Sequence, residues 1–222
     1  AIYRGSPVRQ INLDVALADG VWTLNKAKAQ LPGGTSVAVS GSLAMEEGEP
    51  TFRGPVEVTS DNLRATLDWL ELPTESVPQD RLRRVDLFAD VVVSPAVLAL
   101  TGLDLSFDSS RLTGGFAARI EEVPSLTVDV VLDQLNLDAY ILPPEPVDDV
   151  DEDDRPFSLE PYAFYLSLIN LDLKARVDSL TYNGVAVSGI QADGTLSDGR
   201  LVVRSLGAGD IAGAALRFSG EV

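Results

Sequence analysis

The sequence predicts a mainly β protein, and three observations support that prediction. Residues 11–17, 103–107, 126–132 and 171–177 alternate apolar and polar side chains with a period of two, as strands with one wet face do. Turn signals separate such stretches about every 8 to 12 residues. Helical periodicity is confined to short pieces. We therefore expect antiparallel strands joined by hairpins, with a few short helices.

The turns between these strands have a recognisable chemistry. Asn183-Gly184 is the strongest hairpin signal, because this dipeptide adopts positive φ angles at little cost. Asp19-Gly20 and Asp198-Gly199 mark further reversals. Gly33-Gly34 and Gly114-Gly115 lack the pattern of a phosphate loop, so we interpret them as bulges or tight reversals within strands.

Two short helices are expected. Ser60 or Asp61 would cap a helix that runs from Leu63 to Leu70. Ser94-Pro95 would open one or two helical turns that run through Leu100, with proline in the first turn. Residues 156–169 are ambiguous.

The chain contains an internal sequence repeat. Gly41 lies 22 residues after Asp19, and Gly220 lies at the same distance after Asp198. The apolar positions of the two windows coincide at that offset, which indicates a repeated strand-turn-strand unit. We divide the chain into a β unit (1–74), a second β unit with short helices (75–144), an acidic proline-rich loop (145–156) and a C-terminal β unit (157–222). We expect the last unit to continue in a longer protein.

Composition narrows the function. The 222 residues include 34 Asp and Glu against 17 Lys and Arg, so the net charge of -17 disfavours nucleic acid as a partner. There is no His and no Cys, which removes the commonest catalytic bases, thiol nucleophiles and metal ligands. We expect no enzyme activity and no cofactor, and a function that lies in the shape and apolar character of a surface.

One segment departs from the strand pattern. Residues 143–156 are rich in proline and carboxylates, and Asp149, Asp151 and Asp153 alternate like ligands of a calcium loop. However, no glycine supplies the sharp turn and no bidentate glutamate follows at the required distance. We therefore favour a solvated surface loop over a metal site.

Two motifs resemble the AsmA family of bacterial envelope proteins. In residues 103–115 (LDLSFDSSRLTGG) and 126–143 (LTVDVVLDQLNLDAYILP), a strand ending in an Asp turn precedes a glycine-containing strand and a leucine-alternating strand. The segment ends in LDAYILP, which is similar to the family's closing motif L-D-x-Y-L-P but has one more residue between Tyr and Leu. Residues 171–220 are similar to the C-terminal region of that family, with its Tyr-Asn-Gly-Val hairpin and Asp-Gly turn. Residues 11–73 resemble the preceding repeat.

The resemblance implies a curved antiparallel sheet that forms an open groove, of the β-taco or repeating β-groove type. It implies a periplasmic segment of a bacterial envelope protein, anchored to the inner membrane through parts outside this chain. Phospholipid acyl chains would lie in the groove, and the partners would be lipid, flanking repeats of the same protein and a possible edge-to-edge homo-oligomer. Such a segment would conduct lipid between the inner and outer membranes.

The alternating apolar residues are the candidates for the groove lining. They are Trp22, Leu24, Val37, Val39, Phe52, Val56, Leu103, Leu105, Phe107, Leu126, Val128, Val130, Leu171, Leu173, Val177, Leu201, Val203, Leu216 and Phe218. Two alternatives stay open at this point. The same side chains could form the core of a closed β-sandwich, and the chain could be a scaffold that assists outer-membrane protein assembly through its strand edges.

Overall fold

The structure, a computed structural model, describes residues 2–3, 6–141, 168–211 and 213–221. It is 70% strand, and its main feature is one curved, 12-stranded sheet that does not close on itself. The predicted mainly β class and open groove are therefore confirmed.

The strands follow one another along the chain, with short connections except between β6 and β7 and between β10 and β11. They are β1 (Ile2–Tyr3), β2 (Ser6–Pro7), β3 (Arg9–Ala18), β4 (Val21–Gln30), β5 (Ser36–Glu46), β6 (Glu49–Ser60), β7 (Val85–Val93), β8 (Val97–Phe107), β9 (Ser110–Arg119), β10 (Ser125–Asn136), β11 (Asn170–Tyr182), β12 (Val185–Ser197), β13 (Arg200–Ile211) and β14 (Ala214–Glu221). β1 and β2 form a separate pair.

Strand order in the large sheet equals chain order, from β3 at one edge to β14 at the other. Neighbouring strands pair antiparallel except β10 and β11, which run parallel. The chain between Asn136 and Asn170 therefore joins opposite ends of two neighbouring strands. Residues 142–167 of that connection, including the acidic loop with Asp149, Asp151 and Asp153, lie outside the described residues. The parallel pairing of β10 with β11 differs from the all-antiparallel arrangement expected from the sequence.

The two rims of the sheet differ. At the helical rim lie α1 (Leu63–Trp69) and the 3₁₀ turns Pro32–Gly34 and Leu137–Ala139. The opposite, hairpin rim carries short turns such as Asp19-Gly20 and Asp198-Gly199. Among the described residues, no helix combines the length and apolar character needed to cross a membrane.

The helix predictions met different outcomes. α1 forms where expected, but Asn62 occupies the N-cap position, without a side-chain cap hydrogen bond. The helix predicted after Ser94-Pro95 is wrong. Instead the Ser94 hydroxyl accepts hydrogen bonds from the amides of Ala96 and Val97 at 3.3 and 3.1 Å, and this local turn leads directly into β8.

The predicted turns are confirmed. Asp19-Gly20, Asn183-Gly184 and Asp198-Gly199 all form two-residue reversals with positive φ, for example 50° at Asn183 and 72° at Gly184. Both central residues of a type I′ turn need positive φ, which explains the Asx-Gly sequences. Gly33-Gly34 makes a tight reversal, whereas Gly114-Gly115 lies inside β9.

The repeated sequence windows also share the same strand-pairing register. Leu17 pairs with Trp22, and their counterparts 179 positions later, the distance from Asp19 to Asp198, are the paired residues Leu196 and Leu201. The next strand agrees too, because Leu24 pairs with Gly41 as Val203 pairs with Gly220. The register shifts also occur at equivalent positions. The shift at Asp14/Val15 corresponds to the one at Asp193/Gly194. The shift at Leu24/Ala27 corresponds to the one at Val203/Leu206. β3–β5 and β12–β14 are therefore structural equivalents.

Candidate functional site

The register places every residue of the predicted lining on one face of the sheet. Residues paired across neighbouring strands point to the same face. For example, Val130 pairs with Gly114 on one side and Ala175 on the other. Following such pairs from β3 to β14 connects Trp22, Leu24, Val37, Val39, Phe52, Val56, Leu103, Leu105, Phe107, Leu126, Val128, Val130, Leu171, Leu173, Val177, Leu201, Val203, Leu216 and Phe218. We call this side of the sheet the apolar face and the other side the polar face.

The predicted lining includes no residue of β3, β7, β9 or β12, although all four strands contribute to the apolar face. β7 contributes Val85, Leu87, Ala89, Val91 and Val93. Its alternation is hidden because Phe88 and Val92 on the polar face are also apolar. The signal that could have found it is β-branched content between two turns, since such a run is typical of a buried strand.

The pattern of burial places the apolar face on the inner side of the curve. Every buried apolar residue in the described part of the chain lies on it: Val85, Ala89, Val91, Leu103, Leu196 and Ala208. Among the described residues no second layer covers this face, because the strands of the large sheet form one layer and α1 contacts the 3₁₀ turn at the helical rim. The burial therefore comes from neighbours on the same face, which crowd together where a sheet curves inward. A closed sandwich core has no counterpart in the described residues.

The sheet bends along a line at mid-strand, which we call the crease. Bulges re-aim and bend the strands that contain them. The register shifts on this line lie between Asp14 and Val15, Leu24 and Ala27, Phe88 and Asp90, Leu100 and Leu103, Asp193 and Gly194, and Val203 and Leu206. Gly41, Gly54 and Gly114 continue the crease through the strands between. The axis of the groove follows this line across the strands.

Small residues at the crease leave space along the floor. Ala175 pairs with Ala192, and Leu173 pairs with Gly194. Beside them Leu171, Leu173 and residues of β12 and β13 line a concavity of about 170 Å³ on the apolar face. The arrangement can hold a narrow apolar ligand without any specific polar contact.

The polar face is covered with charged and hydroxyl side chains. Arg53 pairs with Glu46 at 2.7 Å, and Arg111 pairs with Asp104 at 2.6 Å. The hydrogen bond from Arg111 holds the pKa of Asp104 below its usual value. These pairs are exposed, so they contribute little to stability. They keep this face hydrated. The sheet is therefore amphipathic, with one hydrated face and one apolar face.

The helical rim is held by carboxylates that bind backbone amides. The Asp108 carboxylate accepts hydrogen bonds from the amides of Leu82, Arg83 and Arg84 at 3.0, 3.0 and 3.2 Å and from the Tyr140 hydroxyl at 2.9 Å. Burial acts to raise the pKa of Asp108, but these four donors outweigh it and the pKa lies below its usual value. Burial and the hydrogen bond to Asp108 raise the pKa of Tyr140 to about 12.

Replacing Asp108 with asparagine should lower the free energy of unfolding by about 2 kcal/mol at pH 7, because a neutral amide cannot accept from all four donors. A carboxyl group with a lowered folded-state pKa stabilises the fold above its unfolded pKa, and that contribution is lost as pH falls through the folded pKa. The difference between wild type and variant in urea titrations should therefore shrink below about pH 4. Asp104→Asn is the control, with a much smaller expected loss because its pair with Arg111 is exposed. A difference that persisted unchanged at pH 2 would contradict this role.

No group of three or more acidic side chains in the described part of the chain is arranged to hold a metal ion.

Comparison with known proteins gave no match among protein families, curated sequences or solved structures. The similarity to the AsmA family therefore remains an expectation from the motifs.

Proposed function

We propose that the apolar face binds lipid acyl chains, and that the protein is a segment of a bacterial envelope conduit that passes phospholipid between two membranes. The single observation that carries the proposal is the continuous apolar face on the inner side of an open sheet, without a covering layer among the described residues. An uncovered apolar surface of this extent is typical of a binding surface rather than a core.

Energetics supports a chain-like ligand. Each buried methylene contributes roughly 0.8 kcal/mol, so an acyl chain that follows the crease binds through its length alone. The groove has no cluster of cations on its floor, where the paired residues from β9 to β12 are glycine, valine and alanine. The headgroup would stay in solvent, and selection among headgroups would be weak. No described strand pairs with the outer edge of β3 or of β14, so both ends of the groove are open in this part of the chain, as a conduit requires.

Photo-crosslinking along β11 tests the proposal. A photoreactive phenylalanine analogue is placed singly at each position of 171–177, and the protein is irradiated in bacterial cells before mass spectrometry. Lipid adducts should alternate, forming at 171, 173, 175 and 177 but not at 172, 174 and 176, which lie on the polar face. Adducts without alternation, or adducts to protein alone, would contradict lipid binding on this face.

The assembly scaffold is the second candidate function. One observation favours it, namely that all ten residues of the edge strand β3 are exposed. A scaffold needs an accessible edge but no dry groove. Lipid adducts with the alternating pattern would favour the conduit, and strand capture without lipid would favour the scaffold.

A further inference from the structure

The outer edge of β3 is unpaired in the described residues. β3 pairs with β4 on one side, and no described strand lies on the other. Its apolar residues are highly exposed to solvent. The exposed fractions are 57% for Ile11, 68% for Leu13, 42% for Val15 and 57% for Leu17. An edge strand of ten residues with an apolar face is a template for strand addition.

The structural repeat shows what such an edge looks like when it is occupied. β12 is the equivalent of β3, and its corresponding edge pairs with β11. Leu196, the counterpart of Leu17, is only 4% exposed, against 57% for Leu17. The sequence pattern, the register and the bulge are shared, so the presence of β11 is the main local difference between the two edges.

We propose that the outer edge of β3 receives an antiparallel strand of a second polypeptide that has the alternating pattern of β11. The repeat also fixes the register. Leu171 lies opposite Leu196 and Leu173 lies opposite Gly194, so the incoming strand places apolar residues opposite Leu17 and Val15. Its intervening charged residues then extend the polar face.

Within the described ranges, no strand occupies the backbone groups on the outer edge of β3. Ala18 and Val21 close the two-residue turn and form the hydrogen-bonded pair of that hairpin. In an antiparallel ladder the next pair, Leu17 with Trp22, makes no hydrogen bonds to each other, so the amide and carbonyl of Leu17 point to the outer edge. Proline at this position removes an outward donor without removing a hydrogen bond to β4.

The other free edge is different and provides the comparison. β14 is the equivalent of β5, and the corresponding edge of β5 pairs with β6, where Val39 lies opposite Val56. The repeat therefore assigns a β11-like strand to β3 and a β6-like strand to β14. This inference does not depend on lipid binding.

A fluorescent peptide with the sequence of residues 170–182 tests the proposal against the full chain by fluorescence anisotropy. We expect saturable binding, weakened at least tenfold by Leu17→Pro and unchanged by Arg217→Ala, which lies on the polar face of the other edge strand. A peptide of the same composition without alternation should bind at least tenfold more weakly. Circular dichroism confirms that Leu17→Pro is folded.

Hydrogen exchange with the wild-type protein gives a readout that does not depend on any variant. The amide of Leu17 and the other outward amides of β3 should gain protection when the peptide is added, while β14 does not change. Protection at β14 instead, equal binding of the control peptide, or no binding would overturn the assignment. A dimer that protects β3 without peptide would show a second copy at this edge and would likewise overturn the proposed occupant.

Discussion

Replacing Gly114 with alanine is expected to lower the free energy of unfolding by roughly 3 to 5 kcal/mol, the largest stability effect that this fold predicts. A Cβ atom at this position would lie 2.0 Å from the backbone oxygen of Asp129, and the φ of 138° disfavours any L side chain. The neighbouring strand would have to move at the crease, where the sheet bends.

A second glycine and a matched control make this prediction specific. Gly54→Ala should have a similar effect, since its Cβ would lie 2.0 Å from the oxygen of Ser40. Gly209→Ala is the control, because Gly209 also lies within a strand but its nearest contact would be an ordinary 3.5 Å. We expect a change of about 0.5 kcal/mol or less at Gly209. Urea unfolding followed by circular dichroism measures all three, and equal effects at Gly114 and Gly209 would contradict the crease.

Replacing Val130 with aspartate should reduce the lipid-bound fraction of the protein at least tenfold. Val130 lies on the apolar face beside the crease, between Gly114 and Ala175. A hydrated carboxylate there would displace about two methylenes of an acyl chain, which costs roughly 1.6 kcal/mol, and 1.4 kcal/mol is a factor of ten in affinity.

The neighbouring residue provides the matched control. Val131 is on the same strand but on the polar face, opposite Arg176, and it is 38% exposed. Val131→Asp makes the same chemical change one position away, next to a cation. Native mass spectrometry should show lipid bound to this variant within twofold of wild type. Equal loss in both variants, with both folded, would mean that net charge rather than the apolar face governs lipid binding.

The strands and their faces could be predicted from the sequence because the physical signals are local. Alternation in 171–177 specifies which side chains share a face, and a slip of one residue would place charges such as Lys174 on the apolar side. Two-residue Asx-Gly turns specify antiparallel neighbours at once. These two signals together assigned the predicted lining to a single face, although no local signal reports what covers that face.

The remaining features could not be predicted because they depend on distant residues. β10 pairs parallel with β11, which requires a long connection between the two strands. The alternation of apolar and polar residues is the same in parallel and antiparallel strands, so it could not predict this pairing. The role of Asp108 depends on amides of residues 82–84, more than twenty positions away. Ser94-Pro95 shows the opposite case, in which a local helix-start signal was overridden by strand pairing of β8 on both sides.

Native mass spectrometry of the wild-type protein, purified from bacterial cells without detergent, would detect lipid bound to the apolar face. We expect adducts with the mass of phospholipid, which solvent extraction removes and which return when the delipidated protein is offered phospholipid vesicles. Protein that carries no lipid, remains folded and soluble, and takes up none from vesicles would contradict lipid binding on the apolar face.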